Sequence, residues 1–223
     1  DDFEDSILSI RELAERQTGQ VTLACIPTAA FYFLPSVIRD YNEQYPKIRI
    51  RLLDLSANDG LEAVLRGEAD FGINMMSGQH PDIEFVSLVQ EHFVLACRRD
   101  HPLANRASVT WTELADYRLI GVGRLSGNRM LLDHALSGLN LRPKWFYEVQ
   151  HLSTSLGMVE AGLGVSAMPS LAMPNADHPT LVSVPLIEPQ VTRTLGLVYR
   201  RGASLSPAAE KFVSILLQKW PNR

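Results

Sequence analysis

The feature that most limits the fold of this chain is a rhythm of short apolar strands and amphipathic helices that runs through it twice. The first pass opens with "VTLACI" from Val21, an apolar, β-branched run of strand type. The chain then enters an apolar helical segment from Phe31, and "FLPSVIRDYNEQYP" reads as a helix with Pro35 near the first turn, where a missing N–H is tolerated. Strand "IRIRLLDL", helix "NDGLEAVLRGE" and strand "ADFGI" follow, then two strand-like runs, "IEFVSLV" and "HFVLACRR", with a short interruption between them. After a break at "DHPLAN" the second pass begins with helix "TWTELADY", which carries a Thr110/Glu113 capping box. Strand "RLIGVG", helix "GNRMLLDHALSGL", strand "WFYEV", helix "STSLGMVEAG" and strand "GVSAMP" continue it. A Pro-rich turn leads to strands "LVSVPL" and "TLGLVYRR". The chain closes on helix "SPAAEKFVSILLQKW", with Ser206 as N-cap and Pro207 at its first position.

Strands that alternate with helices predict an α/β architecture with parallel sheets. Two passes predict two Rossmann-like lobes. The similar strands "FVLACRR" and "LGLVYRR" flank the second pass, and they are read as two crossover strands that join the lobes, the closing helix returning to the first. This assigns residues 19–97 and 195–223 to lobe I and residues 98–194 to lobe II. Residues 1–18 place Phe3, Ile7, Ile10 and Ala14 at helical spacing before Gly19, and read as the end of a linker helix. The chain opens at Asp1 and not at Met, so an N-terminal piece is expected to precede it. Ligands of open α/β sheets bind outside the carboxyl ends of the strands, which makes a cleft between the lobes the expected site.

A length of 223 residues and a hydrophobic content of 46% are ample for such a core, and no segment reaches the apolar length of a membrane span. The net charge is −4 with no cluster of Lys and Arg, which argues against a direct grip on nucleic acid. Cys25 and Cys97 lie inside apolar strand-like runs and read as buried small hydrophobes in a reducing, cytoplasmic compartment, with a disulfide or redox role left open. The histidines are scattered, without Cys or carboxylate partners at metal-ligand spacing. "GVG" at Gly121 lacks the remainder of a phosphate loop or dinucleotide fingerprint, and "GLGVS" around Ser166 is not a nucleophile elbow. No enzyme activity, no metal and no cofactor are expected.

Binding has better support. Each strand-to-helix handover presents helix N-terminal N–H groups, which favour an anion or carboxylate. The handovers carry Thr28 and Ala29 in "IPTAA", Ser56 and Asn58 in "DLSANDG", Ser126 and Asn128 in "GRLSGNRM", and His151, Ser153 and Thr154 in "VQHLSTS". Small residues beside Thr28 let a ligand approach the backbone. A hydroxyl at a helix start also serves as an ordinary N-cap. Capping is the better reading for Ser126, while capping and binding compete evenly at Ser56, Asn58, Ser153 and Thr154; His151 is read evenly as a ligand or as a surface histidine. Asn74, after "ADFGI", either reaches the cleft or serves as a turn residue. Met75 and Met76 read as core or pocket wall. Arg124 and Arg129 are candidates to pair an anionic ligand. The Arg98/Arg99 and Arg200/Arg201 pairs read as solvent-facing.

The run "FLPSVIRDYNEQYPKIRIRLLDLSANDGLEAVLRGEADFGI" resembles the start of the effector-binding domain of LysR-type transcriptional regulators. "FVLACRRDHPLA", "VEAGLGVSAMP" and "LGLVYRRGASLSPAAEKFVSIL" resemble later parts of it, in the same order, so the likeness covers nearly the whole chain from Gly19. The resemblance implies a fold similar to type 2 periplasmic binding proteins, with an effector cleft between the lobes. It places the effector against the loop after the first strand, at Thr28, and turns the His151 loop toward the same cleft. It also implies an N-terminal winged helix-turn-helix domain, absent from this chain, through which promoter DNA is bound. Assembly as a homodimer or homotetramer follows from the same likeness, with the helix "FLPSVIRDYNEQY" set against a partner.

The leading expectation is a ligand-sensing regulatory domain whose effector is a small carboxylate or other polar anion. A solute-binding protein of the same fold, without a DNA-binding role, is the alternative. An enzyme on the same lobe pair (a deaminase or prephenate dehydratase-like chain) stands third, and no membrane partner is expected.

Overall fold

The computed structural model describes residues 19–75, 80–139 and 141–220. The expected linker-helix end at residues 1–18 and Met76 lie outside the described residues. The chain divides into two compact units, the first running to Val89 and resuming at Leu195, the second spanning Gln90–Thr194.

In the first unit, β1 (Gly19–Cys25) lies between two parallel neighbours, β2 (Ile48–Asp54) and β3 (Phe71–Met75). Its register runs from Gly19↔Ile48 to Cys25↔Asp54 on one side and from Leu23↔Phe71 to Cys25↔Ile73 on the other. β1 is buried from Val21 onward and β3 throughout, which is why both read as unbroken apolar runs. The far edge of β3 takes β10 (Thr192–Arg200) antiparallel, from Leu195↔Met75 to Val198↔Gly72. Gly196 lets β10 lie close to its neighbour on the other side: a Cβ there would stand 2.3 Å from the Phe85 ring and 2.5 Å from the Val86 carbonyl.

A separate short helix, α1 (Pro27–Tyr32), precedes the expected helix over 33–46, which forms as α2 (Leu34–Gln44). Pro35 has no N–H to offer the preceding turn, and its ring excludes the carbonyl of Phe31, so a new helix starts at Leu34 and Phe33 sits between them with φ −120° and ψ −52°. α3 (Ala57–Leu65) follows β2. The last helix, α6 (Pro207–Lys219), is capped by Ser206, whose hydroxyl accepts from the Ala209 N–H at 3.2 Å. α6 returns to α2: the Tyr41 and Phe212 rings stand 5.1 Å apart, the buried Tyr41 hydroxyl donates to Ala208 O at 3.0 Å, and Lys219 pairs with Asp40 while donating to Ser36 O.

The two strand-like runs at 83–89 and 92–99 are one strand, β4 (Ile83–Arg98). The polar interruption does not break it, because Glu91 turns inward and is bonded there. The first division between the units therefore falls inside β4, at Val89/Gln90, ahead of the Cys97/Arg98 step expected from sequence.

The second unit builds on the carboxyl half of β4. β8 (Ser166–Pro169) pairs antiparallel on one side, from Phe93↔Pro169 to Ala96↔Ser166, and β9 (Leu181–Ile187) on the other, from Val94↔Pro185 to Arg98↔Leu181. β5 (Val109–Thr110) runs parallel to β9. β6 (Leu119–Val122) and β7 (Trp145–Val149) form a parallel pair, linked onward by the Leu119↔Val165 bridge. α4 (Gly127–Ser137) follows β6 and α5 (Leu152–Glu160) follows β7. Phe93, Leu95, Cys97, Trp111, Leu114, Leu132 and Leu136 belong to the core.

The expected helix over 110–117 shortens to a single 3₁₀ turn, Glu113–Asp116. The capping pair does form: Glu113 accepts from the Thr110 N–H at 2.8 Å, and the Glu113 N–H donates to the Thr110 hydroxyl at 3.3 Å. Trp111 and Leu114 anchor the turn in the core, and Tyr117 is already extended toward β6, leaving no room for a second turn.

Tyr41→Phe removes one buried hydrogen bond and keeps the ring. It is expected to lower stability by about 1 kcal/mol, seen as a lower urea midpoint with an unchanged m-value.

Candidate functional site

The helix starts of the first unit differ in how they use their polar groups. Ser56 is the N-cap of α3: its hydroxyl accepts from the Asp59 N–H at 3.2 Å and donates to the Asp59 carboxylate at 2.7 Å. Its polar atoms are committed to the helix, and Asn58 beside it is exposed. Asn74 is not a turn residue. It lies within β3, is 3% exposed, donates to Ala57 O at 2.7 Å and accepts from the Met75 N–H at 2.7 Å, so it fastens the start of α3 to the strand. Met75 is buried.

Thr28 is different. It sits in the first turn of α1 and is 5% exposed, yet its hydroxyl has no partner among the described residues. Ala29 beside it is buried, and the Ala29 N–H turns back to Ile26 O at 3.0 Å rather than remaining open. The helix has no acidic residue in its first turn and no side-chain cap.

The same lack of a cap marks α4 and α5 in the second unit. Ser126 occupies the N-cap position of α4 with extended backbone, but its hydroxyl does not cap the helix as expected. The N–H groups of Gly127, Asn128 and Arg129 have no backbone acceptor among the described residues, the first helical bond being Met130 N–H to Ser126 O at 3.0 Å. At α5 the N-cap is His151, again without a side-chain bond, which puts Ser153 and Thr154 inside the first turn and rules both out as caps. All three are exposed, and neither α4 nor α5 has an acidic residue in its first turn. Helix dipoles left uncompensated in this way favour a bound anion.

Arg129 is not available for a ligand. It is 6% exposed; its Nε donates to Asp133 at 3.0 Å, its Nη1 donates to Val122 O at 3.2 Å and lies 3.6 Å from Glu148, and its face covers Trp145 at 4.7 Å. Arg124 remains exposed. The terminal arginines of the crossover strands hold loops: Arg98 bonds Asp100 and Glu160 O, Arg99 bonds His178 O, and Arg201 bonds Pro81 O.

Sequence reasoning missed Glu91 and Arg193. Their side chains are 3% and 0% exposed, and they pair at 2.6 Å, with Arg193 Nη1 donating to Asn128 Oδ1 at 2.7 Å. A signal was present: Arg193 stands in phase with Val191 and Leu195, and Glu91 with Phe93 and Leu95, so alternation alone puts both inside.

Cys25 and Cys97 are free and buried. Burial, with Asp54 adding to it, pushes the Cys25 thiol up to about 12; burial pushes Cys97 up to about 11. Among the described residues no three His, Cys, Asp or Glu side chains group to hold a metal ion, and no helix is long and apolar enough to cross a membrane.

Residues 14–221 match the LysR substrate binding domain family. The chain belongs to the LysR-type transcriptional regulators. This LysR-type domain is 52% identical over 218 residues to the HTH-type transcriptional regulator YbhD of Escherichia coli (strain K12), covering 98% of this chain and 69% of that protein. Among solved structures it is similar to the effector binding domain of QuiR in complex with shikimate, at 25% identity and TM-score 0.76, covering 92% of this chain and 99% of that one. It is also similar to the reduced form of OxyR, at 28% identity and TM-score 0.74, covering 92% and 97%. The fold is therefore the type 2 periplasmic-binding-protein-like one, and the chain is the ligand-sensing regulatory domain of a LysR-type regulator.

The raised thiols of this LysR-type domain set two linked outcomes. At pH 8 a disulfide reagent is expected to leave both cysteines unmodified in the native chain and to titrate both after unfolding. Folded-state values near 12 and 11 lie above the ordinary 9.0, so the fold retains protons that the unfolded chain loses. Their contribution to stability is complete below pH 9.0 and declines as the pH rises toward the folded values, which urea midpoints measured across that range would show.

Proposed function

We propose that this domain senses a small polar anion, of carboxylate or similar chemistry, through Thr28, Ala29, Ser56, Asn58 and Asn74 of the first unit and Ser126, Asn128, His151, Ser153 and Thr154 of the second. In this reading Ser56 and Asn74 act by shaping the start of α3, because their polar atoms are already bonded. Direct contacts come from Thr28, Ser126, Asn128, Ser153 and Thr154.

One contrast carries the proposal. α3 and α6 begin with a capping serine and an acidic residue in the first turn, whereas α1, α4 and α5 begin with neither, as does α2, which continues directly from α1. Helix starts of the second kind leave hydroxyl and amide donors for something outside the chain. The QuiR domain is named as a complex with shikimate, which supports a carboxylate as the first class to try.

Ligand binding would then act on promoter DNA through an N-terminal winged helix-turn-helix domain, in a cytoplasmic homodimer or homotetramer without catalytic turnover. Such control requires the ligand to favour one assembly state over another by its difference in affinity for the two.

The test is a thermal-shift screen of the domain against shikimate, other small carboxylates, amino acids and inorganic anions. A ligand at about a hundred times its dissociation constant adds roughly 2.7 kcal/mol, a rise of roughly 5–10 °C at this chain length. Thr28→Val and Ser126→Ala are each expected to remove most of that rise while leaving the unliganded melting point in place. A rise of full size in both variants would show that the ligand sits elsewhere.

A further inference from the structure

Two strands carry opposite charges into the apolar interior of the second unit: Glu91 on β4 and Arg193 on β10. Glu91 Oε1 stands 2.6 Å from both Nε and Nη2 of Arg193, so the carboxylate occupies the side edge of the guanidinium. Its other oxygen accepts from the Leu171 N–H at 2.8 Å and the Ser170 hydroxyl at 3.4 Å. Nη1 of the guanidinium donates to Asn128 Oδ1 at 2.7 Å. Nη2 lies close to the carboxylate but makes no hydrogen bond among the described residues. In a planar guanidinium its second hydrogen lies on the end edge shared with Nη1. A buried donor without an acceptor is unfavourable, so the end edge is one acceptor short.

Asn128 inherits a fixed orientation from this bond. With Oδ1 held by Arg193, Nδ2 faces the opposite way, and it has no acceptor among the described residues. It joins the open N–H groups of Gly127, Asn128 and Arg129 and the unbonded Ser126 hydroxyl at the start of a helix of 11 residues. The nearby Arg129 is neutralised by Asp133 and Glu148, and Glu91 is neutralised by Arg193.

We propose that Arg193 is a positioning residue for ligand recognition: it holds the Asn128 amide with its NH2 outward, so that the start of α4 presents hydrogen-bond donors and selects a carboxylate or phosphate over the corresponding neutral ester. This rests on the sensor reading above. Without Arg193 the amide is free to turn its oxygen toward the ligand, and an oxygen there repels an anion.

The experiment is a titration of the domain with inorganic phosphate, with shikimate and with shikimate methyl ester, followed by nitrogen–proton correlation spectra. In the wild-type chain, saturable shifts are expected at the Ser126 to Arg129 amides and at the Asn128 side-chain NH2. Asn128→Asp should abolish them. The double substitution Glu91→Gln with Arg193→Met removes the pair without stranding a lone buried charge. It should weaken phosphate and shikimate binding by about tenfold or more while leaving the ester unaffected, a change in selectivity that general loosening of the fold would not produce. Arg193→Lys retains a charge opposite Glu91 but lacks the fork that spans both partners, so the same loss of selectivity is expected from it. Unchanged selectivity in folded Arg193 variants would overturn the positioning role. Failure of phosphate and shikimate alike to shift the start of α4 would overturn the anion site itself. A ligand found by thermal shift that moves Thr28 and not Ser126 to Arg129 would overturn this proposal and leave the sensor reading standing.

Discussion

The second unit depends on a carboxylate and a guanidinium buried side by side at the two points where the chain enters and leaves it. Glu91 and Arg193 are 102 residues apart in sequence and in contact in the fold. Burial alone pulls the Arg193 guanidinium below its ordinary pKa, and the Glu91 carboxylate opposes that pull. A pair of this kind adds little net stability over well-packed apolar groups, but either partner alone would be a buried charge costing roughly 3–5 kcal/mol. The constraint is therefore one of register. β4 and β10 must meet so that Glu91 faces Arg193, and that match brings Leu171 and Asn128 to fixed places around the pair.

Apart from α2, which continues directly from α1, the helix starts divide into two kinds. α3 and α6 spend their first-turn polar groups within the chain, on the Ser56–Asp59 bonds and the Ser206–Ala209 bond. α1, α4 and α5 do not. Sequence and structure agree closely wherever a protein is only holding itself together, and positions that break a local rule without compensation concentrate at functional sites. Ser126, with N-cap backbone and no cap bond, is such a position. Thr28, a largely buried residue whose hydroxyl has no partner among the described residues, is another.

Much of the fold was legible because apolar phase is a strong signal. β1 and β3, buried along nearly their whole length, read as continuous apolar runs, and α2 and α6 as helices with proline in the first turn. Lengths were less legible. The Thr110–Glu113 capping box was correctly identified, but nothing local announced that Tyr117 must extend at once into β6. Gln90 and Glu91 read as an interruption because their polarity outweighed their phase, although phase was the better guide. The division of labour among serines was not legible at all. Whether Ser56, Ser126 or Ser153 caps its helix depends on where the backbone leaves the preceding strand, a tertiary property that places His151, and not Ser153, at the N-cap of α5.

The order of segments along the chain has a consequence for synthesis. The first unit is discontinuous: it needs β10 and α6 to finish its sheet and to cover Tyr41, and these follow the second unit in the chain. The second unit is continuous and is complete once Thr194 has emerged, its two ends clamped by the Glu91–Arg193 pair. On a ribosome that releases the chain from its N-terminus, the inserted unit closes first, and the first unit waits with β1, β2 and β3 assembled but one sheet edge open. Premature termination anywhere in α6 would thus leave the second unit finished and the first unable to close.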